Sequence, residues 1–273
     1  MPVDPTIPAI IGGAFVSKDL VLKLLGPTAE YLGEGLKDWT EKAQKNTGRV
    51  FEAAAKKLGS KIDEEGGVPP RVLKGILEEA PFADDELTAE YFGGVLASSR
   101  SAVPRDDRTA TLISLLGRLS SYQIRFHYIL YSVVKAIFNG RELNVNTEGA
   151  KGREAMQLFI PERVYVTAMD FSKEERPKEN VIFDHVIWGL FKESLINQGF
   201  AMGSTEIIRE FSQTAAEPGL VFTPSALGVE LFLAAYGKAD TSNVAFLDPN
   251  VTFESLADVQ IPAGSLSTTS PGT

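Results

Sequence analysis

The sequence predicts a mainly α-helical protein in two parts: an N-terminal helical bundle, then a C-terminal α+β winged-helix-like module. Three observations predict it. Apolar residues recur at helical spacing through most of residues 27–138. Beyond residue 140 the pattern becomes helix, strand, strand, helix. Charge divides in the same place, because residues 151–273 hold 16 acidic against 9 basic groups, which is seven of the nine net negative charges.

A chain of 273 residues suits about two domains. With 44% hydrophobic and 23% charged residues it has the composition of a globular protein. The expected segments are an apolar N-terminal stretch (1–26), the bundle (27–140), the winged-helix-like domain (141–262) and a disordered Ser/Thr/Gly/Pro-rich tail (263–273). In the first segment Ile7 to Val16 is apolar, no basic residue precedes it, and Lys18–Asp19 ends it. That is well short of the ~20 residues of a spanning helix. A buried or partner-binding segment is therefore expected ahead of a membrane-active one, in a cytoplasmic protein.

Pro27 suits the first turn of a long helix. Leu32, Leu36, Trp39, Ala43, Thr47, Val50, Ala54 and Leu58 then form a narrow, heptad-like stripe, fit to pair with a helix of this chain or of a second copy. Pro69–Pro70 start a helix carrying Val72, Leu73, Ile76 and Leu77. Asp84–Asp85 and Asp106–Asp107 precede apolar stripes, where acidic first turns favour the helix dipole. The inward residues are Leu87, Tyr91, Phe92, Val95 and Leu96 after the first pair, and Leu112, Leu115, Leu116 and Leu119 after the second. Ser120 and Gln123 read as a capping box for a helix that is apolar on nearly every face and ends at Asn139–Gly140.

Residues 139–162 read as a partly structured connector, Val164 to Met169 as a strand, and Lys173 to Asn180 as a loop. A helical stripe follows at Val181, Ile182, Val186, Ile187, Leu190, Phe191 and Leu195. Two short strands, Phe200–Met202 and Leu220–Phe222, flank a helix-like insert at Glu206–Ser212. Thr223, with Pro224 at the first helical position, is expected to cap the last helix. Such a module could read DNA, but its second helix offers Lys192 against Asp184 and Glu193, a poor phosphate-contact set. Nucleic acid is thus a disfavoured partner, and a protein partner or a homo-oligomer is favoured.

No catalytic, cofactor-binding or metal-ligating residue can be assigned. The absence of cysteine removes disulfides, thiolate nucleophiles and Cys-ligated zinc. Neither His127 nor His185 has a second histidine at helical spacing, and His127 on its apolar helix reads as a hydrogen-bonded core residue. Arg125 is too close to His127, and Arg118 too far from it, for the Arg–His pair of the helical HEPN ribonucleases. Gly12 to Lys18 is an incomplete phosphate loop, and Gly33–Gly35 an incomplete dinucleotide fingerprint. The aspartate pairs could hold magnesium, but they fit helix starts better.

Four stretches carry a family resemblance. They are Leu24 to Leu36 (LLGPTAEYLGEGL), Val68 to Leu73 (VPPRVL), Asp84 to Leu87 (DDEL) and Phe222 to Gly237 (FTPSALGVELFLAAYG). In order and spacing they resemble the abortive-infection alpha family of bacterial proteins. The resemblance implies a role in defence against phage, often by arrest or death of the infected cell, with a protein or a phage component as partner. None of the four is a catalytic motif, so the resemblance adds no site residues.

Overall fold

The computed structural model describes residues 9–10, 15–16, 23, 41–103, 105–146, 150–212, 215–257, 259 and 267–268. The chain forms two compact units. One is drawn from Met1–Arg118 and Leu233–Asp240, the other from Leu119–Phe232 and Thr241–Thr273. The division thus falls at Leu119, ahead of the long apolar helix, where the sequence suggests residue 140.

In the first unit, strands β1 (Ala9–Ile10) and β2 (Phe15–Val16) pair antiparallel within the apolar N-terminal stretch. Pro27, Leu32, Leu36 and Trp39 lie outside the described residues. Helix α1 (Glu41–Leu58) carries the rest of the expected stripe, with Thr47, Val50 and Ala54 fully buried. The stripe finds its partner inside the unit, in α3 (Glu86–Ser99). Across that contact Lys57 forms an ion pair with Glu90, and burial lowers the lysine pKa. On the far side of α3, Gly94 lies against the last helix of the chain: a Cβ there would sit 1.9 Å from the carbonyl oxygen of Ala235. Only glycine permits that approach.

Helix α2 (Pro70–Glu79) starts at its proline and buries Val72, Leu73 and Ile76. Asp85 caps α3 by accepting from Thr88 N at 2.9 Å. The second aspartate pair behaves otherwise. Helix α4 (Thr109–Leu116) has no acidic residue in its first turn, and Asp106 instead binds Arg108 through two bonds of 2.7 and 2.9 Å. The Arg100 guanidinium gathers the carbonyls of Lys23, Lys61, Ile62 and Glu64, which closes the loop after α1.

The second unit is built on α5 (Ser121–Phe138). The Ser120–Gln123 capping box is formed, and Phe126, Ile129, Leu130, Val133 and Val134 are fully buried. The connector contains α6 (Ala150–Ala155) and strand β3 (Leu158–Pro161). Next comes α7 (Glu162–Met169), where a strand is expected. Val164, Tyr165, Ala168 and Met169 are its buried residues, a helical spacing, and the strand lies just upstream in Leu158–Pro161. A turn at Arg176–Lys178 leads into α8 (Glu179–Lys192), so the expected loop is shorter. Strand β4 (Ala201–Gly203), α9 (Thr205–Arg209), β5 (Gly219–Phe222) and α10 (Ala226–Ala235) follow.

The antiparallel sheet has the order β4-β5-β3-β6, where β6 is Ser267–Thr268. The tail expected to be disordered therefore contributes an edge strand to β3. Leu158 faces Phe222 and Ile160 faces Leu220 on one side of the sheet. On the other side Phe159, Val221 and Ala201 pack with Ile208 and Ala215. The cap of α10 is Ser225, whose Oγ accepts from Gly228 N at 3.0 Å, and not Thr223. Thr223 and Pro224 are held back by strand-like pairing: Thr223 O accepts from Asn197 N at 3.0 Å, and Pro224 bridges to Ile196. Among the described residues no helix is long and apolar enough to cross a membrane.

Candidate protein-contact groove

The start of α5 sets the rotation of α8. Gln123 closes the capping box by accepting from Ser120 N at 2.8 Å, and its Nε2 donates to His185 O at 3.3 Å. Gly189 of α8 leaves room for that amide, since a Cβ would come within 1.7 Å of Nε2. Phe183, Val186, Ile187 and Leu190, at i, i+3, i+4 and i+7, form the buried face. Phe183 makes edge contacts with Phe126, Tyr165 and Phe171. Val181, Asp184, His185, Trp188 and Lys192 are left exposed.

Helix α8 ends in a Schellman arrangement, with Leu195 N donating to Leu190 O at 2.8 Å and Ser194 N to Phe191 O at 2.9 Å. Ser194 takes the left-handed position at φ 59°. The chain then turns back through Gly199, so that Phe200 reaches the rings of Trp188 and Phe191 at centroid distances of 5.1 and 5.4 Å. Between α8 and the β4–α9 segment lies an open cleft of about 570 Å³, a size that suits specific binding. Its apolar lining includes Trp188, Phe191, Phe200, Met202, Ile207 and Phe211, and its one charged lining residue is Asp184. Trp188 is 60% exposed, Ile207 47% and Phe211 41%. A second cleft of about 860 Å³ continues past Phe191 to Lys192, Ser194 and Asn197.

This lining offers apolar area and a carboxylate, a set suited to binding. Clustered exposed apolar side chains mark interaction surfaces, whereas scattered ones are ordinary. Asp184 and Lys192 form no ion pair or hydrogen bond among the described residues.

In the interior the structure brings together a histidine, a tyrosine and a serine. His127 stacks on Tyr131 at 4.5 Å, and its Nε2 lies 3.0 Å from Gly228 O. The Tyr131 hydroxyl donates to Leu195 O at 2.6 Å and accepts from Ser225 N at 2.9 Å. Ser225 Oγ donates to Ser194 O at 2.7 Å. Burial pushes the His127 pKa down to about 3 and that of Tyr131 up to about 12. These groups tie α5 to the ends of α8 and α10 through backbone partners, which is the core role expected of His127. His185 is exposed, with Nε2 3.1 Å from Ser120 Oγ. Arg125 donates to Ala168 O at 2.8 Å, and Arg118 to Ser114 O at 3.1 Å. No group of three or more possible metal ligands occurs among the described residues.

The sequence reading missed Trp188, Ile207, Phe211 and the partnership of Phe200 with α8. A signal existed for the first of these: Trp188 falls off the stripe that Val186, Ile187 and Leu190 define, and so does Val181, which is 71% exposed. Fold and groove together define a class: a mainly helical protein of two units with an exposed aromatic cleft. No protein-family model, curated protein or solved structure matches the chain.

Proposed function

We propose that this is a bacterial anti-phage protein of the abortive-infection kind, working in the cytoplasm through protein–protein contact at the α8 groove. The biological setting rests on the resemblance of four sequence stretches to the abortive-infection alpha family. The mode of action rests on one observation: α8 turns Trp188 to solvent in a cleft that it shares with exposed Ile207 and Phe211. We read the second unit as winged-helix-like. In support, two helices separate β3 from β4, and β5 runs between those strands in an antiparallel sheet.

That same order favours a second reading, a DNA-binding regulator. Phosphate contacts supply most non-specific DNA affinity. The outward face of α8 offers Lys192 as its one lysine or arginine against Asp184, with Trp188 between them and Val181 beyond, so the protein-contact reading is preferred. The test is expression in a phage-sensitive bacterium. The native chain should reduce phage plating, and Trp188→Glu should restore plating to that of the empty host while leaving the far-UV circular dichroism unchanged. Full protection by Trp188→Glu would overturn the reading. Salt-sensitive binding of duplex DNA by the native chain would favour the regulator.

A further inference from the structure

The outward face of α8 has a symmetry that names its partner. Asp184, Trp188 and Lys192 occupy i, i+4 and i+8, hence one stripe of the helix, about 12 Å from end to end. The two charged residues stand four positions on either side of the tryptophan. All three side chains are exposed, and neither charge is paired among the described residues. Nearby charges are otherwise occupied or set apart: His185 meets Ser120 Oγ, Arg209 Nε donates to Ala215 O at 3.1 Å, and Glu206 and Glu210 lie on the α9 side.

We infer that the groove is covered by a second copy of this chain, in a two-fold dimer with the two α8 helices antiparallel. An axis through Trp188 sets Asp184 of one protomer against the partner's Lys192, and Lys192 against the partner's Asp184. Residue numbers facing one another across such an axis have a constant sum, and the pattern of opposite charges about a central tryptophan meets that condition twice. A self-complementary patch of this kind is what an isologous interface requires. The two Trp188 rings then meet at the axis and leave water together, each still seated against its own Phe200. Large aromatic anchors of this type dominate interface energetics.

The inference rests on the protein-contact reading above but fails separately from it. The test is sedimentation equilibrium of the full chain over a wide concentration range. A species of twice 29.6 kDa is expected. Trp188→Glu should weaken self-association by about 30-fold or more, the scale of losing a central anchor. Asp184→Lys alone and Lys192→Asp alone should each weaken it by about tenfold or more, since each sets like charges face to face. The double variant Asp184→Lys with Lys192→Asp should recover association, because the swapped charges again face their opposites. All these positions are solvent-facing, and unchanged melting temperatures will show that the variants fold. A monomer at every concentration overturns the inference, and so does a double variant as weak as the single ones. If the chain is monomeric yet Trp188→Glu still abolishes protection, a different protein occupies the groove and the broader reading stands. If Trp188→Glu protects fully, the broader reading falls whatever the mass.

Discussion

The two units treat apolar surface differently. In the first, exposed large apolar residues such as Phe82 and Val103 stand singly, at 78% and 54% exposure, while the helices close on one another through glycine. In the second, Trp188, Ile207 and Phe211 share one cleft, above the buried residues Ile187 and Ala201. Both units bury aromatic and aliphatic interiors. What separates them is where apolar area is left over, and whether it is gathered. In the second unit part of it is gathered into one cleft.

The comparison breaks most sharply in the first unit at Gly94. An added Cβ would overlap the backbone of Ala235, and backbone does not swing aside. Gly94→Ala should therefore lower unfolding free energy by about 3 kcal/mol, the upper end of what overpacking costs, because the neighbour is backbone. Urea titration followed by circular dichroism measures this, and a loss below about 1 kcal/mol would show that the contact relaxes.

The second unit has a pH signature centred on one buried histidine. His127 is fully buried and neutral, with its pKa pushed from 6.5 to about 3 by desolvation, while the unfolded chain protonates at its ordinary value. The unfolded state thus holds more protons between those limits, so stability is complete above pH 6.5 and declines as pH falls toward 3. Between pH 6.5 and 5 the loss should approach ~2 kcal/mol, and His127→Gln should flatten the slope. An equal slope in that variant would place the titrating group elsewhere.

The smallest effect sharpens the edge of the groove. Ser194 occupies a left-handed position that glycine fills without steric cost. Ser194→Gly should raise stability by about 0.5–1 kcal/mol, read as a small upward shift in melting temperature. A decrease would show that the serine side chain contributes more than its backbone geometry costs.

Much of the helical layout was legible in the sequence, because caps and stripes are local. Pro70, Asp85 and the Ser120–Gln123 box all do what their residue types suggest. The failures are places where a tertiary partner outvotes a local cue. Thr223-Pro224 looks like a helix start, yet pairing with Asn197 and Ile196 holds both residues back and passes the cap to Ser225. Val164 to Met169 is rich in β-branched residues, yet it coils, because the neighbouring Leu158–Pro161 run takes the place in the sheet. The groove was the hardest feature to foresee. Trp188 could be placed outward by projection along α8, but Phe200 and Phe211 reach the same cleft only through the return of the chain at Gly199.

The seat of Gly94 against Ala235 also sets an order of events on the ribosome. The first unit is not continuous in the chain: it is completed by Leu233–Asp240. Nascent proteins ordinarily settle from the N-terminus onward, at ~5–20 residues per second. Here α1 and α3 wait through synthesis of everything from Leu119 to Asp240, on the order of ten seconds, before their last contact exists. The second unit closes later still, with the segment from Thr241 onward, so throughout that interval the unfinished N-terminal part stays open to chaperones and proteases.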